Sequence, residues 1–103
     1  MKKLQIFYQE RCPFCKRAFN YIDELKEENE VFRLINPECI EETMHVDYAN
    51  SFDYYYVPTF YVDGEKVHEG GITKNEVKKI LNSLLEWQLH DKLKKQQRWR
   101  IFL

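Results

Sequence analysis

The 103-residue sequence predicts an α/β fold in the order strand, helix, strand, helix, strand, strand, helix. Three observations carry that prediction. A strand-like run at Leu4-Gln5-Ile6-Phe7-Tyr8 leads directly into a helical repeat and then into a second strand-forming run. Asp63-Gly64 lies between two further such runs, the strongest short hairpin signal in the chain. Thr73, with Glu76 three residues on, opens a clean helical stripe as a capping box.

Taken in order, the first strand ends near Tyr8. Phe14, Ala18, Ile22 and Leu25 then recur at helical spacing and predict a helix from Pro13 to about Glu27, with Lys16, Arg17, Asp23, Glu24 and Lys26 on its outer face. Pro13 fits the first helical turn, where its missing N–H costs nothing. Glu28-Asn29-Glu30 interrupts the pattern, and Val31–Ile35, rich in strand formers, reads as the second strand. A strand, helix and strand of this length predict a parallel pair. Asn36-Pro37 signals a turn or helix start. A second helix is expected over about Glu38 to Ser51, with Cys39 at its start and an imperfect apolar face of Ile40, Met44, Val46, Ala49 and Phe52. Phe60–Val62 is the third strand, and Lys66–Glu69 returns antiparallel to it, ending at Gly70-Gly71. Val77, Ile80, Leu81, Leu84 and Leu85 form the last helical stripe, which continues to Leu89 and towards Leu93.

This length predicts one domain, over residues 1–89. Residues 90–103 differ in composition. Lys92, Lys94, Lys95, Arg98 and Arg100 against Asp91 make them basic, and Trp99, Ile101, Phe102 and Leu103 are apolar. This extension reads as a continued helix with an aromatic end, or as a docking patch for a partner or an acidic membrane surface. A net charge of −1 gives no pointer to nucleic acid. No apolar run approaches the ~20 residues of a membrane span. The start of the chain lacks the features of a signal peptide, so a reducing, cytoplasmic setting is expected.

The chemistry centres on Arg11-Cys12-Pro13-Phe14-Cys15-Lys16. Cys12 falls at the junction of strand and helix, where free N–H groups and the helix dipole favour thiolate over thiol. Arg11 and Lys16 add positive charge, and Glu10 opposes them. Cys12 is then the nucleophile. Cys15, one turn on, faces inward and attacks the mixed disulfide that Cys12 forms. No metal site is predicted: there is no second Cys-x-x-Cys, Cys39 and His45 are six apart, and neither His68 nor His90 makes a matched pair. No Ser–His–Asp arrangement or phosphate-cradling glycine loop is present. Cys39 reads as a small half-buried residue or, if exposed, as a site of glutathione capping or dimer formation. Tyr54, Tyr55 and Tyr56 either line a substrate groove or pack half-buried.

The strand, Cys12-Pro13-Phe14-Cys15 and the helix resemble the opening of a glutaredoxin or a small thioredoxin-like protein. Tyr56-Val57-Pro58-Thr59-Phe60 resembles that family's cis-proline segment, although Pro58 also suits a turn opening an edge strand. The resemblance runs from about Lys3 to Leu85. It implies a four-stranded mixed sheet with helices on both faces, and a thiol–disulfide oxidoreductase acting on protein or small-molecule disulfides. Cys12 and Cys15 are the catalytic pair it implies, and Arg11, Pro13, Phe14, Val57, Pro58, Thr59 and Gly71 the substrate-binding residues. The Val57 backbone would meet an extended substrate as an added strand does. The protein would be a monomer with no required cofactor, drawing electrons from glutathione as co-substrate or from a thioredoxin reductase. The alternative is a binding module of the same fold, either an iron–sulfur carrier or a partner adaptor. Two departures bear on the donor. Gln9 stands where glutaredoxins usually carry a lysine, and Gly70-Gly71-Ile72-Thr73 is followed by Lys74 where they often carry aspartate; that segment is more similar to thioredoxins.

Overall fold

The computed structural model describes residues 2–85. The element order is β1 (Leu4–Tyr8), α1 (Pro13–Glu28), a 3-10 turn (Glu30–Leu34), β2 (Glu38–Glu41), α2 (Val46–Asn50), β3 (Thr59–Val62), β4 (Glu65–Glu69) and a last helix, α3, helical over residues 74–85. The boundary expected at residue 89 and the basic extension lie outside the described residues. Among the described residues no helix is long and apolar enough to cross a membrane.

The strands form one sheet in the order β2-β1-β3-β4. β1 runs parallel to β2, pairing Phe7 with Ile40, and antiparallel to β3, pairing Ile6 with Phe60. The two central strands are buried on both faces, so they read as nearly continuous apolar runs, whereas the edge strands β2 and β4 are mostly polar and exposed. Leu4, Ile6, Phe60 and Val62 meet α1, the 3-10 turn and α3 on one face. Phe7, Ile40 and Tyr61 meet Ala49 of α2, with Phe52 and Tyr54 beside them, on the other. The expected α/β sheet with helices on both faces is therefore present.

Local signals set most boundaries. Asp63 and Gly64 both take positive φ, 49° and 81°, as a two-residue hairpin of this hand requires. The Thr73 hydroxyl accepts from the Glu76 N–H at 3.2 Å, while Glu76 Oε1 accepts from the Thr73 N–H at 3.1 Å, closing the capping box. In α1 the buried stripe is Cys15, Ala18, Ile22 and Leu25; it starts at Cys15 and not at Phe14, which is exposed.

Two expectations are corrected. Val31–Ile35 does not form a strand. The Asn29 side chain accepts the Val31 N–H at 3.1 Å, and a 3-10 turn follows. Phe32 and Ile35, three apart, are buried, while Val31 and Leu34 are exposed. That is the period of a 3-10 turn and not of a strand. The second strand comes later, at Glu38–Glu41, which replaces the start of the expected helix. Proline restricts Asn36 to extended backbone, and the chain after Pro37 is free to pair with β1. Cys39 therefore lies on an edge strand, exposed, and α2 shrinks to Val46–Asn50.

Candidate functional site

The site forms where β1 ends and α1 begins. Cys12 is the N-cap of α1, with extended backbone. Its carbonyl accepts the Lys16 N–H at 3.1 Å, and its own N–H donates to the Gln9 carbonyl at 3.1 Å. Its sulfur makes no capping bond. Instead, Sγ lies 3.9 Å from the Val57 carbonyl oxygen, on a segment 45 residues away in sequence. Pro13 follows as the first helical residue.

Cys15 is one turn on and only 1% exposed. Burial pushes the Cys15 thiol up to about 12, with the Gln9 backbone N–H pulling the other way. The folded protein thus holds this proton above 9.0, the ordinary thiol value at which an unfolded chain releases it. Because the folded value is the raised one, the associated stability is complete below 9.0 and is lost as pH climbs towards about 12. In the folded protein, iodoacetamide at about pH 8 should label the accessible Cys12 and Cys39, and Cys15 only after denaturation. Peptide mass mapping reads the order, and early labelling of Cys15 contradicts this burial.

The Val57-Pro58 bond is cis, as the family resemblance implies. Val57 is half-buried and Pro58 fully buried, with the Pro58 carbonyl accepting the Gly70 N–H at 2.8 Å. Thr59 is wholly buried and its hydroxyl donates to the Tyr56 carbonyl, so its side chain braces the loop and does not face outward. Phe14 is 53% exposed and lies against Gly71, where an added Cβ would come within 3.4 Å of the ring. That is ordinary van der Waals contact, so the two segments pack edge to edge here. Phe14, Arg17, Tyr21, Gly71, Ile72 and Thr73 line a groove of about 330 Å³. The Arg17 guanidinium lies 5.8 Å from the Phe14 ring centroid, within cation–π range. Arg11 belongs elsewhere, in a depression with Gln9, Glu10, Glu41 and Thr43.

The two departures noted in the sequence have structural partners. Gln9 Nε2 donates to Glu42 Oε1 at 2.5 Å. Lys74 Nζ lies 2.6 Å from Glu28 and 3.2 Å from Glu24, pinning the start of α3 to the second half of α1. Among the described residues, no three His, Cys, Asp or Glu side chains gather into a metal-binding group. Sequence reading missed Arg17 and Tyr21, although both follow Phe14 at helical spacing, three and seven residues on. It also missed Glu42 and Glu69, for which no local pattern gives a signal.

Residues 2–82 match a family model described as a thioredoxin domain. None of the curated proteins matches the chain.

Proposed function

The chain belongs to the thioredoxin-domain family, and from that membership we propose that it is a dithiol–disulfide oxidoreductase. One observation carries the reading: a half-buried Cys12 facing the Val57 carbonyl at 3.9 Å, with a fully buried Cys15 one helical turn behind.

The exchange proceeds in two steps. The Cys12 thiolate attacks one sulfur of a substrate disulfide, forming a mixed disulfide and releasing the other substrate sulfur as thiolate, which takes up a proton. The Cys15 sulfur then attacks Cys12 Sγ, giving up its proton, and the second substrate thiol leaves. The protein is left with a Cys12–Cys15 disulfide. Two electrons and two protons from an external thiol system restore the dithiol. No metal or organic cofactor enters. The raised Cys15 value keeps the second thiol protonated until a mixed disulfide is in place, which favours Cys12 as the sole attacking group.

The donor is a thioredoxin-type reductase in this proposal. Gln9 is engaged with Glu42, and Lys74 with Glu24 and Glu28, so neither position offers the contacts that a glutathione-using relative has there. The test supplies insulin and a small mixed disulfide, with electrons from glutathione and its reductase or from thioredoxin reductase. Turnover with thioredoxin reductase alone is expected. Turnover with glutathione alone overturns the donor assignment, and reduced protein inactive with both overturns the oxidoreductase reading in favour of a binding module.

A further inference from the structure

The loop that leads into Pro58 carries three consecutive tyrosines, and the fold treats them differently. Tyr54 turns inward, its ring centroid 5.1 Å from that of Phe7 and its hydroxyl donating to Glu42 Oε2 at 2.9 Å. Tyr55 and Tyr56 turn outward, 87% and 71% exposed. Single exposed aromatics are ordinary. Two in succession, leading straight into the Val57 carbonyl that faces the thiol, put exposed aromatic surface beside the reacting sulfur, the kind of surface that marks binding.

The backbone beneath these rings is held by one carboxylate. Glu69, at the end of β4, accepts the N–H of Tyr55 at 2.7 Å and that of Tyr56 at 3.0 Å, both on Oε2. Its Oε1 accepts from Lys66 Nζ at 2.7 Å. Lys66 Nζ also reaches the Asp53 carbonyl at 3.2 Å, and the Tyr61 hydroxyl donates to that same carbonyl at 2.7 Å. The Tyr56 carbonyl accepts the Thr59 hydroxyl. Bonds to a carboxylate are stronger than neutral ones, so this clasp is firm. Lys66, with the Tyr55 and Tyr56 N–H groups, lowers the Glu69 carboxyl to about 2, which keeps it charged at neutral pH.

We propose that Glu69 is a positioning residue that holds Tyr55 and Tyr56 out as an aromatic platform beside Cys12, and that the partner this platform fits is an extended polypeptide with apolar residues next to its disulfide. The inference rests on the disulfide-exchange reading above and adds to it the residues that set a preference for apolar chain beside the attacked disulfide. A polypeptide is the fitting occupant because the platform is continuous with the Val57 carbonyl facing the thiol, so chain flanking the attacked cysteine crosses the rings. A small disulfide has no flanking chain to place there.

The experiment compares three probes: a synthetic peptide disulfide with Leu and Phe flanking its cysteine, the same peptide with Ser and Gly there, and hydroxyethyl disulfide. Glu69→Ala should raise KM for the apolar peptide about tenfold, equivalent to losing one good apolar contact, with kcat within about twofold. Turnover of hydroxyethyl disulfide and the alkylation rate of Cys12 should stay unchanged. Glu69→Gln, whose amide oxygen still accepts both N–H groups, should restore most of the affinity. A Tyr55→Ser/Tyr56→Ser variant, altered only at exposed rings, should reproduce the KM rise and carries the test if Glu69→Ala does not fold. An unchanged KM for the apolar peptide in this double variant overturns the platform, as does an equal rise for all three probes. Wild-type protein that reduces none of them overturns the exchange reading itself, and the platform with it.

Discussion

Cys12→Ser should reduce disulfide turnover to the uncatalysed background, and Cys15→Ser should leave a mixed disulfide on Cys12 that survives long enough to isolate. The asymmetry follows from where the fold puts the two sulfurs. Cys12 caps α1 with its sulfur free of a capping bond, open to a substrate and 3.9 Å from the Val57 carbonyl. A serine hydroxyl there is not ionised near neutral pH and cannot displace a thiolate. Cys15 is 1% exposed and cannot stand in, because an external disulfide has no route to it. Without the Cys15 sulfur the mixed disulfide has no internal attacker, and release waits for a thiol from solution. Mass spectrometry of Cys15→Ser after exposure to a peptide disulfide should show one peptide added, on Cys12. The third thiol, Cys39, lies exposed on the edge strand β2, so Cys39→Ser belongs in every variant to remove adventitious adducts. Full turnover by Cys12→Ser in that background would remove Cys12 from the mechanism.

Phe7→Ala costs about 3–5 kcal/mol of stability. Phe7 is fully buried at the centre of the smaller core, and its ring centroid lies 4.6 Å from that of Phe52, 5.1 Å from Tyr54, 5.7 Å from Tyr61 and 6.2 Å from Tyr48. Among the described residues, only Ile40, Ala49 and Tyr61 are further buried members of this core, so they have little with which to refill the cavity. A domain of this size has roughly 5–15 kcal/mol in all, so one ring amounts to a large share. Equilibrium urea unfolding should show a lower midpoint with an unchanged slope. Val67→Ala, on the exposed β4, is the contrast, with an expected change within about 0.5 kcal/mol. Equal effects at the two positions would contradict the two-core description. The same ring packs Tyr54, the inward-facing tyrosine of the loop before Pro58, so Phe7→Ala should also weaken polypeptide reduction more than it slows alkylation of Cys12.

Much of the site was legible before the structure. Cys12 and Pro13 stand at the helix start as expected, because that depends on chemistry confined to a few residues, whereas the approach of the Val57-Pro58 segment to Cys12 spans 45 residues and is set by packing. Residues named as one substrate-binding group nevertheless separate in space. Phe14 and Gly71 border a common groove, whereas Arg11 lines another depression and Thr59 is buried. Glu69 could not have been found from its neighbours, since its partners Tyr55 and Tyr56 are 14 and 13 residues away.

Features controlled by short-range geometry follow directly from neighbouring residues. These are the strand–helix junction that carries the thiols, the Asp63-Gly64 hairpin, the Thr73 capping box and the apolar stripe of the last helix. Turn residues and caps act within four residues, so their outcome does not wait on the rest of the chain. The second strand, by contrast, was settled by long-range pairing. Val31–Ile35 has the composition of a strand, yet the strand that pairs with β1 is Glu38–Glu41, less apolar but placed to register Cys39 against Ile6 and Ile40 against Phe7. Strand preference is largely a statement about which neighbours a side chain meets, and those neighbours come from β1, more than thirty residues earlier. The same holds for Lys74, drawn to Glu24 and Glu28, and for Glu69 beneath the tyrosine loop: charge and hydrogen-bond capacity are written in the sequence, but their partners are chosen by the packed chain.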